Sequence, residues 1–288
     1  MPGVAGAVSF AVALVVVQLL LSRYGRFALD RPNERSLHER PVPRTGGIAV
    51  LAGGATALAF GASVLWVPLL LALCLAAISL VDDLRSLPVG ARLAAHLLAA
   101  GVLVWYVLSP MALWQSALLV IAVAWLTNLY NFMDGSDGLA GGMSAIGFAA
   151  YALAALIGGD APLAATATCI SAASAAFLLF NFHPARIFLG DVGSIPLGFL
   201  AGALGIVGWS GDLWPLWFPA AVFAPFIADA TLTLGRRLAR GDRVWQAHRD
   251  HYYQRLVRGR FGHRGTACAA YVVMAACAGL ALIAMPKP

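Results

Sequence analysis

Long apolar runs, separated by short charged or Gly/Pro-rich breaks, occupy most of this 288-residue chain. Hydrophobic residues make up 61% of the sequence and charged residues 11%, whereas a soluble domain carries roughly a quarter charged residues. A span needs about 20 apolar residues, so the chain has room for about ten spans and no large soluble domain. We therefore predict an all-α, polytopic membrane protein that is a single domain over residues 1–288. The ten predicted helices cover residues 3–22, 46–63, 65–81, 92–108, 112–128, 138–157, 162–181, 195–210, 213–235 and 265–285.

The arginines are distributed unevenly among the predicted loops. If odd-numbered helices run from outside to inside, all 18 arginines lie on the inner side. The charged residues of the outer loops are then Asp160 and Asp212 alone. The positive-inside rule then places both termini outside and the loops on the arginine-bearing side in the cytoplasm. These inner loops are residues 23–45, 82–91, 128–138, 181–195 and 236–264.

The net charge of +6 comes from these inner arginines. Contact with anionic lipid headgroups accounts for such a charge, so membrane lipids are the expected partners and nucleic acid is not required. The four cysteines stand singly in apolar runs without C-x-x-C spacing, which implies neither a disulfide framework nor a zinc site.

Three acidic clusters fall at helix ends on the inner side. The acidic pair, Asp82 and Asp83, closes the third predicted helix; the run over residues 128–137 follows the fifth, and Asp191 follows the seventh. Carboxylates are costly at a bilayer boundary, so their occurrence on one face predicts a shared polar site there.

Each cluster also has an ordinary structural explanation. The acidic pair could be solvated or paired with Arg85 at a helix end, and Asp191 could be the N-cap of the eighth helix. Two Asp-Gly turns would explain the glycines of residues 128–137 but not the amides, Asn128 and Asn131.

The residue types suit a nucleotide or phosphate held with a metal ion. Two amides and two acids, Asp134 and Asp137, stand among glycines that let a ligand approach the backbone closely. Hard oxygen ligands on separate segments favour magnesium, with manganese as the alternative, over a softer metal.

The last inner loop adds His248, Arg249 and His251. Its arginines could clamp a diphosphate bidentately, and its histidines could donate to phosphate or sugar oxygens. Asp229, inside the ninth predicted helix, is either a substrate-gating acid or an acid that snorkels toward the arginines after that helix.

Five segments in order resemble the polyprenyl-phosphate N-acetylhexosamine-1-phosphate transferase superfamily. They are residues 36–48, the acidic pair, and residues 128–142, 181–198 and 225–256. Each segment is weak alone, but together they cover the chain from residue 36 to residue 256. The resemblance implies a multi-pass enzyme of the bacterial inner membrane, with both termini in the periplasm. Such an enzyme transfers sugar 1-phosphate from a UDP-N-acetylhexosamine to undecaprenyl phosphate and releases UMP.

The resemblance also implies roles for single acids. It assigns magnesium to Asp191, with Asp137 as a second ligand. Asp82 or Asp83 would deprotonate or orient the lipid phosphate for attack on the β-phosphorus of the donor. Because magnesium and arginine neutralise two phosphates brought in line, we favour direct displacement over a covalent aspartyl-phosphate.

A homodimer is compatible with the sequence. Further residues are expected to bind the substrates. His38 and Arg44 would bind the lipid phosphate. The expected nucleotide- or sugar-binding residues are Asn128, Asn131, Asp134, Asn181, His248, Arg249 and His251.

The last inner loop departs from the H-x-H-H run of many superfamily members. It reads His251-Tyr252-Tyr253-Gln254, which is more similar to the O-antigen initiating branch that uses UDP-N-acetylfucosamine or UDP-N-acetylquinovosamine.

The alternative functions are the phospho-MurNAc-pentapeptide transferase of peptidoglycan synthesis and, from another class, a membrane transporter. A transporter would place acids near the bilayer midplane and show internal symmetry. A CDP-alcohol phosphotransferase would need a D-G-x-x-A-R signature, and residues 137–142 lack the arginine.

Overall fold

The computed structural model describes residues 2–25, 28–30, 37, 41–61, 65–243 and 248–286. Its first elements are helix α1 (Pro2–Arg23) and an antiparallel pair of short strands, β1 (Leu29–Asp30) and β2 (Val42–Pro43). A long series of helices follows. They are α2 (Gly46–Ala55) with a 3₁₀ continuation (Thr56–Phe60), α3 (Trp66–Arg85), α4 (Val89–Leu108), α5 (Leu113–Phe132), α6 (Leu139–Ile157), α7 (Ala161–Asn181), α8 (Asp191–Ser210), α9 (Trp217–Val222), α10 (Ala224–Ala239), α11 (Tyr252–Leu256) and α12 (Gly262–Ala284).

The prediction of an all-α, polytopic membrane protein is confirmed. Among the described residues, eight helices are long and apolar enough to cross a membrane: α1, α3 to α8, and the run Tyr252–Ala284. A helix bonds its backbone polar groups internally, as a bilayer requires. The count of ten spans and the orientation of the termini stay predictions.

Two of the ten predicted helices have a different form from the expected continuous span. The segment predicted over residues 46–63 consists of α2 and its 3₁₀ continuation, so it is shorter than the other spans. The segment predicted over 213–235 is divided at Phe223 into α9 and α10. Hydropathy alone does not show such a break, because the residues on both sides of it are apolar.

Several predicted boundaries were also wrong by up to four residues at functionally relevant ends. The predicted loop over 128–138 begins too early, because α5 continues to Phe132 and therefore contains Asn128 and Asn131. The helix predicted to begin at residue 195 begins at Asp191. The acidic pair lies within the last turn of α3 rather than after it.

Helix α8 lies at the centre of the bundle, with 89% of its span buried. It packs against α3, α5 and α2. At the contact with α2 the two backbones touch, since a Cβ built on Gly47 would lie 2.3 Å from Gly193 Cα. The N–H groups of Gly46 and Gly47 donate to the carbonyls of Phe188 and Leu189, each at 2.9 Å. This contact fixes the start of α2 beside the start of α8.

A substitution at this contact tests the packing of α2 on α8. Gly47→Ala would place a methyl group inside the α8 backbone, so we expect it to lower the stability by about 1–3 kcal/mol, as overpacking does. Gly101→Ala is the control, because nothing lies within 4 Å of a Cβ at Gly101 and alanine favours the helix. Thermal unfolding in detergent would measure both. Equal stability of Gly47→Ala and the wild type would contradict the backbone contact.

Candidate functional site

The last turn of α3 holds Asp82 through both carboxylate oxygens. Oδ1 accepts the Leu87 N–H at 2.6 Å, and Oδ2 accepts a hydrogen bond from Arg92 Nη1 at 3.1 Å. The chain reverses after α3 through Ser86, whose φ of +52° is left-handed. The reversal brings α4, and with it Arg92, back to the carboxylate. Asp82 is buried, and each of its carboxylate oxygens accepts a hydrogen bond.

Asp83 has a different partner. Its Oδ1 lies 3.4 Å from Arg44 Nη2, and only 6% of its side chain is exposed. The alternative that Arg85 pairs with the acidic pair is wrong: the arginines that contact it are Arg92 and Arg44. Arg44 comes from a segment about 40 residues upstream, so the pairing depends on the tertiary fold.

Asp191 is the first residue of α8, and the N-cap position belongs to Gly190. The N-cap alternative for Asp191 is therefore wrong. Its carboxylate still lies at the positive end of the helix dipole. Asn131, in the last turn of α5, donates from Nδ2 to Asp191 Oδ1 at 2.8 Å and to Ser194 Oγ at 3.0 Å.

Asp134 completes the acidic cluster, which we define as Asp83, Asp134 and Asp191. Burial raises the pKa of Asp134 well above its ordinary range, and the negative charge of Asp191 raises it further. A hydrogen bond from the Gly190 N–H opposes that change. Asp191 also repels the charge of Asp83. The three carboxylates come from α3, from the loop after α5 and from α8, and Asp191 interacts electrostatically with each of the other two.

A cavity of about 120 Å³ adjoins the acidic cluster. Its lining includes Arg44, Asp134, Ser136, Asp137, Phe188 and Asp191. The donors of the cluster are carboxylate oxygens with no thiol among them, which is the chemistry that magnesium or manganese prefers. The buried Nε of Arg44 has no hydrogen-bond partner among the described residues, and the Arg44 side chain brings a positive charge to the lining of the same cavity.

Asp137 lies in a separate network with two histidines. Its Oδ2 contacts His183 Nδ1 at 2.7 Å and accepts the Ala185 N–H at 3.1 Å, while its Oδ1 lies 3.8 Å from His263 Nδ1. These three side chains have ligand atoms close enough to hold one metal ion. However, the two imidazole rings are stacked with an interplanar angle of 4°, so no point lies in both ring planes. A shared ion would require one ring to rotate.

Two of the predicted nucleotide-binding amides bond to other parts of the protein. Asn128 donates to the Ala124 carbonyl at 2.7 Å. Asn181 borders the cavity, but its Oδ1 accepts the Gly138 N–H and its Nδ2 donates to the Ile187 carbonyl. The Asn181 amide therefore connects the loop after α7 to the start of α6.

Asp229 caps the short helix α11. It accepts the backbone N–H groups of Tyr252 and Tyr253 at 3.0 and 2.9 Å, and its Oδ1 contacts His251 Nδ1 at 3.1 Å. The expectation that Asp229 gates substrate or snorkels toward arginine is replaced by this capping role. The His251 side chain is 4% exposed, and its Nδ1 contacts the carboxylate that caps α11.

The other predicted residues of the last inner loop lie beside this cap. His248 stacks on His251 with ring centroids 4.9 Å apart. Burial lowers the pKa of His248, as do the charges of His251 and Arg237. The Arg249 carbonyl accepts a hydrogen bond from Arg258. Tyr253 donates to the Phe132 carbonyl at 3.0 Å, which joins the loop to the end of α5. His38 lies outside the described residues.

The repulsion within the acidic cluster gives a stability prediction. A carboxyl whose pKa is raised in the folded state costs stability when it is ionised, so its penalty grows as the pH rises above the ordinary value. Asp134→Asn removes that charge and keeps an acceptor for Gly190. We expect its Tm without divalent cations to exceed that of the wild type by about 2 °C or more at pH 7.5, and the increase in Tm on adding magnesium to be smaller.

The control for this prediction is Asp242→Asn, because Asp242 is an exposed acid outside the cluster. Its Tm and its magnesium response should match those of the wild type. A lower Tm for Asp134→Asn together with an unchanged magnesium response would contradict the account of the cluster.

Comparison with known proteins gives a consistent result. The family model for glycosyl transferase family 4 matches residues 65–209, which include the acidic pair, the loop after α5 and Asp191. A protein named as a probable undecaprenyl-phosphate N-acetylglucosaminyl 1-phosphate transferase of Bacillus subtilis (strain 168) is 28% identical over 303 residues, covering 92% of this chain and 81% of that protein. The decaprenyl-phosphate N-acetylglucosaminephosphotransferase of Mycobacterium tuberculosis (strain ATCC 25618 / H37Rv) is 29% identical over 319 residues, covering 94% and 78%.

A third relative is similar over a shorter region. It is the phospho-N-acetylmuramoyl-pentapeptide-transferase of Symbiobacterium thermophilum, 46% identical over 92 residues, or 31% of this chain and 28% of that protein.

Proposed function

This chain belongs to glycosyl transferase family 4, and on that premise we propose that it transfers N-acetylhexosamine 1-phosphate from a UDP-sugar to undecaprenyl phosphate. The products are undecaprenyl-diphosphate-sugar and UMP. The chain is thus a polyprenyl-phosphate sugar-1-phosphate transferase. The names of the two long relatives support N-acetylglucosamine 1-phosphate as the transferred group, and so UDP-N-acetylglucosamine as the donor to test first. The His251-Tyr252-Tyr253-Gln254 sequence is the reason to include UDP-6-deoxy-N-acetylhexosamines, and with them a role in O-antigen or other envelope polysaccharide initiation.

The observation that carries the proposal is the acidic cluster beside Arg44. The charge of Asp191 repels the charges of both Asp83 and Asp134, so a cation beside these carboxylates would relieve the repulsion. Magnesium held there by Asp191 and Asp134 would neutralise the diphosphate of the donor and the developing charge on the leaving UMP. Asp134 is better placed than Asp137 for this role, because Asp137 is bonded to His183 and to the Ala185 N–H.

The two acids of the acidic pair differ in what they can do. Both oxygens of Asp82 accept hydrogen bonds from fixed donors, so Asp82 orients Arg92 toward the site. Within the part of the chain that the structure describes, the side-chain contact of Asp83 is the longer one with Arg44. Asp83 is thus the acid that can accept a proton from the lipid phosphate, whose oxygen would then attack the β-phosphorus as the bond to UMP breaks.

The first test is turnover by the purified protein. With undecaprenyl phosphate, magnesium and a panel of UDP-sugars, we expect UMP release with UDP-N-acetylglucosamine or a UDP-6-deoxy-N-acetylhexosamine and little with UDP-MurNAc-pentapeptide. No turnover with any UDP-N-acetyl sugar, alongside a working control enzyme, would reject the transferase proposal.

Asp191→Asn tests the magnesium ligand. Removing a ligand charge should lower kcat/KM by about 100-fold and raise the magnesium concentration needed for activity. Asp212→Asn is the matched control, because Asp212 is an exposed acid in the loop after α8, at the opposite end of that helix. Unchanged activity and unchanged magnesium dependence of Asp191→Asn would remove the proposed ligand.

Separate substitutions distinguish the two acids of the pair. Asp83→Asn should lower kcat by about 100-fold or more, as loss of a general base does. Asp82→Asn keeps an acceptor for Leu87 and weakens the contact with Arg92, so we expect a loss of about tenfold. The reverse order of these losses would assign the base to Asp82. Recovery of a phosphorylated Asp83 after incubation with UDP-sugar alone would replace direct displacement by a covalent intermediate.

A further inference from the structure

His263, at the start of α12, contacts two segments that border the cavity. Its Nδ1 lies 3.0 Å from Ser136 Oγ and 3.3 Å from the Asp137 backbone nitrogen. Its Nε2 lies 3.0 Å from the carbonyl oxygen of Leu37 in the first inner loop. Its ring also stacks on His183 of the loop after α7. One imidazole therefore joins α12 to three segments of the inner end.

The partners fix the tautomer of His263. A carbonyl can only accept, so Nε2 carries the proton and donates it to Leu37. A backbone N–H can only donate, so Nδ1 has a free lone pair and accepts from Asp137; the Ser136 hydroxyl donates to the same atom. The ring thus presents an acceptor on the cavity side and a donor on the side of the first inner loop.

The segment that His263 holds is the one that carries the acids. Ser136 and Asp137 follow directly after Asp134, and the three residues border the same cavity as His263. The side chain of His263 is 13% exposed, so water competes little for these hydrogen bonds. A change at Nδ1 would therefore move the segment that presents Asp134 to Asp191.

We propose that His263 is a positioning residue for the transferase site: its Nδ1 holds residues 134–137 in the conformation that binds the UDP-sugar. The kinetic consequence of this role rests on the proposed function, whereas the hydrogen bonds of His263 do not. The residue acts through the loop and not on the reacting atoms. Its signature is a rise in KM for the UDP-sugar that exceeds the change in kcat.

Two amide substitutions separate the two sides of the ring. His263→Asn places an acceptor oxygen near the position of Nδ1, and His263→Gln places a donor nitrogen near the position of Nε2. We expect His263→Asn to keep the KM for the UDP-sugar within about threefold of the wild type. We expect His263→Gln to raise it by about tenfold, the usual effect of one lost buried hydrogen bond.

Hydrogen–deuterium exchange provides a readout that needs no turnover. In the peptide that contains the Asp137 amide, exchange should stay slow in His263→Asn and become about tenfold faster in His263→Gln. Cys268→Ser is the control on the same helix, because Cys268 is exposed and lies outside the cavity lining. Its KM and its exchange should match those of the wild type.

The outcomes separate the two proposals. Equal effects of both amides on KM and exchange, or a larger effect of His263→Asn, would overturn the positioning role. If the wild type releases no UMP with any UDP-sugar, the proposed function fails, while the exchange pattern alone still decides whether Nδ1 of His263 holds the loop.

Discussion

Mutual repulsion of buried carboxylates is the constraint on which the inner end of this protein depends. Asp83, Asp134 and Asp191 come from three different segments, and the charge of Asp191 raises the cost of ionising each of the other two. Such a cluster persists only if the scaffold supplies positive charge and fixed donors. Arg44 provides the first, and the amide of Asn131 and the N–H of Gly190 provide the second.

The helix packing can be understood as the means of meeting this constraint. Glycine-to-glycine contact between α2 and α8 lets the segment with Arg44 reach Asp83 and Asp191. The tight reversal after α3 returns Arg92 to Asp82. The Asp229 cap and the contact of Tyr253 with the Phe132 carbonyl anchor the last inner loop to the end of α5. Carboxylates and arginines so arranged suit a phosphoryl-transfer site, where positioning and electrostatic stabilisation supply most of the catalysis.

The fold class followed from the sequence because spanning a bilayer requires long apolar runs, and these runs are visible directly. The break at Phe223 was not visible, because no charged residue marks it. The convergence of the three acidic segments could be inferred from the arginine distribution, since the same alternation of helices that collects the arginines on one side also places all three acids there. Which arginine pairs with which acid could not be inferred, because Arg44 reaches Asp83 only through the contact of α2 with α8.

The remaining site residues show the same limit. Asp229 and His251 both had plausible separate roles in the sequence, but they bond to each other across 22 residues. No sequence pattern pointed to His263 as a functional residue, because a single histidine before an apolar run has no polar partner close to it in the sequence. Its partners Ser136 and Asp137 lie more than 120 residues away in the sequence. Side-chain pairings of this kind depend on tertiary packing and need coordinates.

The most direct measurement of the central claim follows the β-phosphorus of the donor. A UDP-sugar that supports UMP release would carry radioactive phosphorus at the β position, with undecaprenyl phosphate as the acceptor. If the acidic cluster is a magnesium-dependent phosphoryl-transfer site, the label moves to the lipid fraction only with a divalent cation, and UMP is unlabelled. Label that stays in the aqueous fraction, or that reaches the lipid equally well without a divalent cation, would contradict the account.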